Sequence, residues 1–307
     1  MDRRNFLGYA GSRPQILWSG QSKIAVNFVV NLEEGAELSL ADGDSANEPG
    51  HEVQSKIVDH PDLCRESSFE FGSRVGYWRV MQEFERRSVR ATLNVCGRFA
   101  QRCPEILRDA VGRGHDLCGH GWLWKSPAGM DQASERDWMV ATLNAIESAC
   151  GARPLGWHCK SSATPRTVDL TRELGLLYSS DAYNDELPYS VRTQSGPLLI
   201  VPYQFDTNDM RFFGEAPAFV RAQDFSGYVI DSLARLKYEA QHYGRSSMIT
   251  IGLHTRIIGR SARIQALTQI LDYLADESVF WLATRSDIAR RWQSAFPPGH
   301  SPGHEGA

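Results

Sequence analysis

Short apolar runs that end in polar residues recur along most of the chain, separated by segments of helical period. The first is "KIAVNFVVNLEEG" (23–35), rich in valine and closed by Glu33 and Glu34. The later ones are "ATLNVCG", "HDLCGH", "PLGWHC", "LLYSSDAY", "LLIVPY", "SMITIGLH" and "SVFWLA". Near-continuous apolar character suits strands buried on both faces of a parallel sheet. Between them, residues 75–87, 104–114, 134–151, 225–243 and 261–275 read as helices. In the first of these Tyr77, Val80, Met81 and Phe84 fall on one face. Pro104 opens one helix and Gly114 closes it, Ser134 and Gly151 flank another, and Ser286 is the expected N-cap of the short helix "SDIARRW". Such alternation predicts an α/β chain of parallel βα units. In a βα barrel the C-terminal strand ends meet on one face and carry the chemistry. The polar residues that end these runs, Glu33, Glu34, Asn94, His120, His158, Asp181 and His254, are therefore candidates for a single site.

Composition narrows the partners. The 307 residues have a net charge of −4, so a nucleic-acid partner is not expected. No window reaches the ~20 apolar residues of a membrane span. The six cysteines form no C-x-x-C pair and read as reduced thiols rather than a zinc cage. Arg3-Arg4 before Phe6-Leu7 has the look of a twin-arginine export signal, but Gly11, Ser12, Arg13, Pro14 and Gln15 interrupt the apolar stretch such a signal needs. A cytoplasmic protein is the expectation. Residues 36–71 read as one long irregular stretch, and the Pro/Gly/His-rich tail 296–307 as disordered. The expected organisation is an extension over 1–19 that packs on the barrel, a catalytic domain over 20–295 and the tail.

The candidate residues allow several roles. Side-by-side buried carboxylates such as Glu33 and Glu34 would raise one pKa, as a general base needs. His254 and His120 each fit a general acid, a metal ligand or a buried structural histidine. Asp181 and Asp185, in "LYSSDAYNDELPY", can orient a histidine or make turns.

Taken together the strand ends resemble the polysaccharide deacetylase superfamily. "VNLEEG" is similar to its first motif, apolar-Thr-Phe-Asp-Asp-Gly, with Glu for both Asp. "GHGWLW" stands where its second motif, His-Ser/Thr-x-x-His, belongs, and "IGLH" resembles its last. "GYAGSRP", "FEFGSRVGYWRVMQEFERR", "GARPLGW", "LYSSDAYNDELPY", "VPYQFDTNDMRF" and "HTRIIGRSARIQAL" resemble a narrower branch, that of the uric-acid pathway. Its reference activity is a metal-independent allantoinase, and related members are cyclic amide hydrolases or chitin deacetylases.

The resemblance implies a deformed (β/α) barrel, assembled as a homo-oligomer. It also implies Glu33 as base, Glu34 as the match of the metal-binding Asp, His120 as the first metal His, His254 as general acid and Asp185 as the acid that supports it. The second metal His falls at position 124, where Trp124 stands. An indole donates one N–H and offers no lone pair. No cofactor is therefore the first expectation; the alternative is one divalent ion such as zinc on Glu34, His120 and His158. The third motif also departs: "GWHCKSSATPRT" carries His158 where the branch has Tyr, and lacks its Ser-Pro-Asn turn.

The function these features predict is hydrolysis of a non-peptide C–N bond, most simply the opening of a small cyclic amide or ureide. Glu33 would activate water, His120 and pocket N–H groups would stabilise the oxyanion, and His254 would protonate the leaving nitrogen. Arg74, Trp122, Trp124, His158, Asn208 and Arg256 are the candidate substrate-binding residues. A metal-dependent N-deacetylase of an acetylated sugar is the second expectation, and a non-catalytic scaffold the third.

Overall fold

The computed structural model describes residues 4–49, 57–213, 218–275 and 278–297. These form nine strands: β1 (Ile24–Leu32), β2 (Thr92–Val95), β3 (Asp116–Gly119), β4 (Gly156–Trp157), β5 (Tyr178–Ser179), β6 (Tyr189–Thr193), β7 (Gly196–Ile200), β8 (Ser247–His254) and β9 (Phe280–Leu282). The sheet runs β6-β7-β5-β4-β3-β2-β1-β8, with β9 also on β1. Every pairing is parallel except that of β6 with β7. The sheet curls into the deformed (β/α) barrel expected.

β1 pairs with three strands, β2, β8 and β9. All nine of its residues are buried, which explains the unbroken apolar run. Successive side chains on a strand point to opposite faces. Val26, Phe28, Val30 and Leu32 accordingly pack outward against Phe84, Phe99, Leu267 and their neighbours, in the layer between sheet and helices. Asn27, Asn31 and Glu33 share the other face, the inside of the curl. There Asn31 Oδ1 accepts from Asn94 Nδ2 on β2 at 2.8 Å.

The curl does not close by a strand ladder. Between β7 and β8 the irregular residues 201–208 fill the gap. Gly252 donates its N–H to Thr207 O at 3.1 Å, Thr207 Oγ1 donates to Thr250 O at 2.6 Å, and Gln204 Oε1 accepts from Thr250 N at 2.7 Å. Gly252 permits this close approach, since a Cβ there would overlap the Tyr203 hydroxyl and the Asn208 amide.

Several expected boundaries move. The stretch 36–71 contains a helix, Leu63–Phe71, capped by Asp62. The long central helix runs over Gln132–Cys150, and Asp131 rather than Ser134 caps it: Asp131 Oδ1 accepts from Ser134 N at 2.7 Å. Thr284 rather than Ser286 caps Arg285–Ala295, through a reciprocal capping box with Asp287. Tyr9, Ile16 and Trp18 pack with Met248, Ile288 and Trp292 in one cluster, which places this part of the N-terminal segment against the barrel. Phe296 packs on Trp292 at 4.6 Å, so ordered contacts extend past the expected start of the tail. Residues 298–307 of that tail lie outside the described residues.

Candidate active site

Glu33 lies just past the end of β1 and is fully buried. His120 follows β3, and His254 ends β8. Parallel register carries all three to the same edge of the curl: Asn31 pairs with His254. Glu33 Oε1 lies 3.3 Å from His120 Nε2 and 3.4 Å from His254 Nε2. That oxygen has no hydrogen-bond partner among the described residues. Glu33 Oε2 accepts from Arg256 Nη1 at 2.6 Å.

Each imidazole is held from behind. His120 Nδ1 lies 2.6 Å from the carbonyl of His158, which can only accept, so Nδ1 carries the hydrogen. His254 Nδ1 lies 2.6 Å from Asp209 Oδ1, and Asp209 Oδ2 accepts the backbone N–H of His254 at 2.8 Å. The acid behind His254 is therefore Asp209. Asp185, the residue the family pattern suggested, is elsewhere: its Oδ1 accepts the backbone N–H groups of Glu186 and Leu187, beside a hollow of about 280 Å³ lined by Asn5 to Ala10. Asp209 comes from the end of the gap-filling segment.

Burial and charge oppose one another here, and charge wins. Burial alone would push the Glu33 carboxyl up, but Arg256, His254 and the contact with His120 outweigh it and hold it well below the usual carboxylate range. Burial likewise disfavours a charged His254, yet Glu33 and Asp209 overcome this and raise its pKa to about 9. At neutral pH the pair is a carboxylate beside an imidazolium. His158 shows the reverse balance: burial dominates, the help from Asp181 is insufficient, and its pKa falls to about 4.

Glu34, expected beside the histidines, turns away. Its Oε1 accepts from the Thr255 hydroxyl and its Oε2 from the Glu33 backbone N–H. It fits against Gly72, where a Cβ would overlap it. His158 Nδ1 faces Ser180 O and Asp181 Oδ1, and its ring lies parallel to that of His120 at 5.4 Å, with Tyr203 stacked on it at 4.7 Å. No three His, Cys, Asp or Glu side chains among the described residues converge as a metal set. Glu34, His120 and His158 do not fit a divalent ion together: His120 turns Nε2 to the site, but Glu34 is turned to Thr255 and His158 presents Nδ1 to Ser180 and Asp181.

The remaining candidates divide. Trp124 and Arg256 are buried at the site, with the guanidinium over the indole ring at 4.8 Å. Asn208 is buried but turned to Tyr203, donating to its hydroxyl at 2.7 Å. Trp122 lies outside, lining a hollow of about 400 Å³ with Ala100, Pro104 and Ala145. Arg74 is three-quarters exposed and pairs with Glu70. Trp122 stands in the irregular turn after β3, and Arg74 in the helical turn Gly72–Gly76.

A buried carboxylate thus stands between two backed imidazoles at the strand ends of a curled parallel barrel. A family model described as polysaccharide deacetylase matches residues 64–179. A Schizosaccharomyces pombe protein whose name places it among polysaccharide deacetylases is 32% identical over 91% of this chain and 93% of its own. Among solved structures, the allantoinase PuuE matches with a TM-score of 0.91 and 36% identity, covering 97% of this chain and 99% of its own. A probable polysaccharide deacetylase from Pseudomonas aeruginosa matches with a TM-score of 0.90 and 37% identity, over 96% and 99% of the two chains. The chain belongs to the polysaccharide deacetylase family. It is a hydrolase of carbon–nitrogen bonds other than peptide bonds.

Proposed function

We propose that this hydrolase opens the ring of a small cyclic amide or ureide. The observation that carries this reading is the enclosure of the site: Glu33, His120, His254, Arg256 and Trp124 are each at most 5% exposed. Groups so buried suit a small planar ring better than a glycan chain, which needs an open groove. The similarity to the allantoinase PuuE supports the same choice.

In this reading water sits against Glu33 Oε1, the oxygen without a partner. Glu33 takes its proton while the water oxygen bonds to the ring carbonyl carbon, whose oxygen becomes an alkoxide. His120 differs from its expected part. With Nδ1–H given to His158 O, its Nε2 is turned to Glu33 Oε1, 3.3 Å away, and borders the same water. His254 Nε2–H then protonates the ring nitrogen as the C–N bond breaks. The alkoxide collapses to a carboxylic acid, and the proton held by Glu33 returns to His254 or to solvent. Asp209 fixes the His254 tautomer throughout.

N-deacetylation of an amino sugar is the second reading, favoured by the names of the S. pombe and P. aeruginosa relatives. A hydrolysis screen separates the two. Purified protein is offered allantoin, hydantoins, succinimide, dihydropyrimidines and acetylated chito-oligomers, with and without chelator. Turnover confined to the acetylated sugars would refute ring opening.

A further inference from the structure

We infer that Arg256, seated between Phe69 and Trp124 and bonded to Glu33, supplies the fixed positive charge that a divalent ion would bring to this site, and that Trp124 is the residue that seats it. This rests on the ring-opening reading only for its substrate.

Three observations converge. Position 124 carries an indole, which has no lone pair to give a metal ion. Its ring instead faces the Arg256 guanidinium at 4.8 Å, and the Phe69 ring faces the same group at 4.3 Å. The two rings lie 6.0 Å apart at 59°, so they form a notch with their negative faces toward one cation. From that notch Nη1 reaches Glu33 Oε2 at 2.6 Å. This leaves Oε1, with the two imidazole Nε2 atoms 3.3 and 3.4 Å away, on the side that faces water. The cation thus touches the base on the side away from the reaction.

Charge permanence explains the choice of arginine. A guanidinium stays protonated when buried, whereas a lysine amine readily loses its proton. A second cation, Lys160, lies over the Trp124 ring at 3.5 Å, but Glu48 pairs with it at 2.8 Å. Arg256 is also two residues from His254. The end of β8 therefore positions the proton donor and the cation in one turn. Arg256 acts through Glu33 and is a positioning residue.

The test compares wild type with Arg256→Ala, Arg256→Gln, Arg256→Lys and Trp124→Leu, on whichever substrate the wild type hydrolyses. Elemental analysis, melting temperature, kcat and KM are measured for each. Wild type should hold less than ~0.2 equivalents of zinc, manganese, nickel or cobalt, against one for a catalytic site, and should keep its activity in chelator. Arg256→Ala and Arg256→Gln should lose at least ~100-fold in kcat with KM within about threefold. Arg256→Lys should recover part of the loss, and added guanidinium should partly rescue Arg256→Ala. Trp124→Leu should lower kcat about tenfold, an effect through the seat and not the charge. A bound metal near one equivalent whose removal abolishes activity would overturn the inference, as would either neutral variant within about threefold of wild type. If both neutral variants fail to fold, the wild-type metal content and the Trp124→Leu rate still decide. Wild type that hydrolyses only acetylated sugars ends the ring-opening reading, and the Arg256 series is then read on that substrate.

Discussion

Asp209 holds His254 twice, at the imidazole Nδ1 and at the backbone N–H, so one carboxylate fixes both the tautomer of the ring and its position. Asp209→Asn should therefore lower kcat by ~10- to 100-fold, because the amide can present a donor to Nδ1 and select the wrong tautomer. Asp185→Asn, at the acid suggested by sequence, should stay within about threefold. Steady-state kinetics on both variants checks this, and equal losses would refute the assignment.

Glu33→Gln and His254→Ala should each lower kcat by at least ~100-fold. Glu33→Gln should also destabilise the fold. It leaves the buried Arg256 guanidinium without the carboxylate it bonds, a loss on the order of 3–5 kcal/mol when a buried pair is broken. Urea unfolding beside the kinetics distinguishes the two effects. Unchanged stability would mean that Glu33 is not charged in the folded protein.

The activity should fall on the alkaline side as His254 loses its proton near pH 9. On the acid side it should persist below the usual carboxylate range, since Glu33 stays ionised there. The linked stability has the same sign. A raised His254 pKa stabilises the fold fully below its unfolded value near 6.5, and this contribution is lost as pH rises from there through about 9. A kcat/KM profile from pH 4 to 10 with an alkaline limb near pH 7 would contradict the His254–Glu33 pairing.

Acid should destabilise the fold through two other histidines. Burial lowers His158 and His115 to about 4 each. Between roughly pH 6.5 and 4 the unfolded chain takes up protons that the folded chain refuses, so stability drops as pH falls through that window. His115→Asn removes one such group and should flatten the fall in melting temperature between pH 7 and 5. A slope identical to wild type would exclude His115 as a contributor.

Strand ends were the legible part of this site. Glu33, His120, His158 and His254 each close an apolar run, and parallel pairing leaves no other place for them than one edge of the sheet. What the run pattern does not encode is side-chain direction past the last paired residue, which is why Glu34, the nearest neighbour in sequence, ended against Gly72 and Thr255. Asp209 was missed for a different reason. It stands in an irregular segment without period, and nothing local distinguishes it from Asp185, also an aspartate among turn residues. The helix Leu63–Phe71 was hidden by its composition: few apolar residues mark its buried face, of which Phe69 is one. Its cap, Asp62 with Pro61 before it, was the signal available.

The seam between β7 and β8 has a consequence for how such an enzyme can change. A strand that slips by one residue turns every side chain to its opposite face, so ladders resist a gain or loss of length. The seam has no such rule, because residues 201–208 hold β8 by a few separate bonds rather than by a repeating register. Asp209 sits where that stretch ends. The partner of His254 is thus carried on a wall of the barrel, among the described residues, that can be redrawn while Glu33, His120 and His254 keep their orientation.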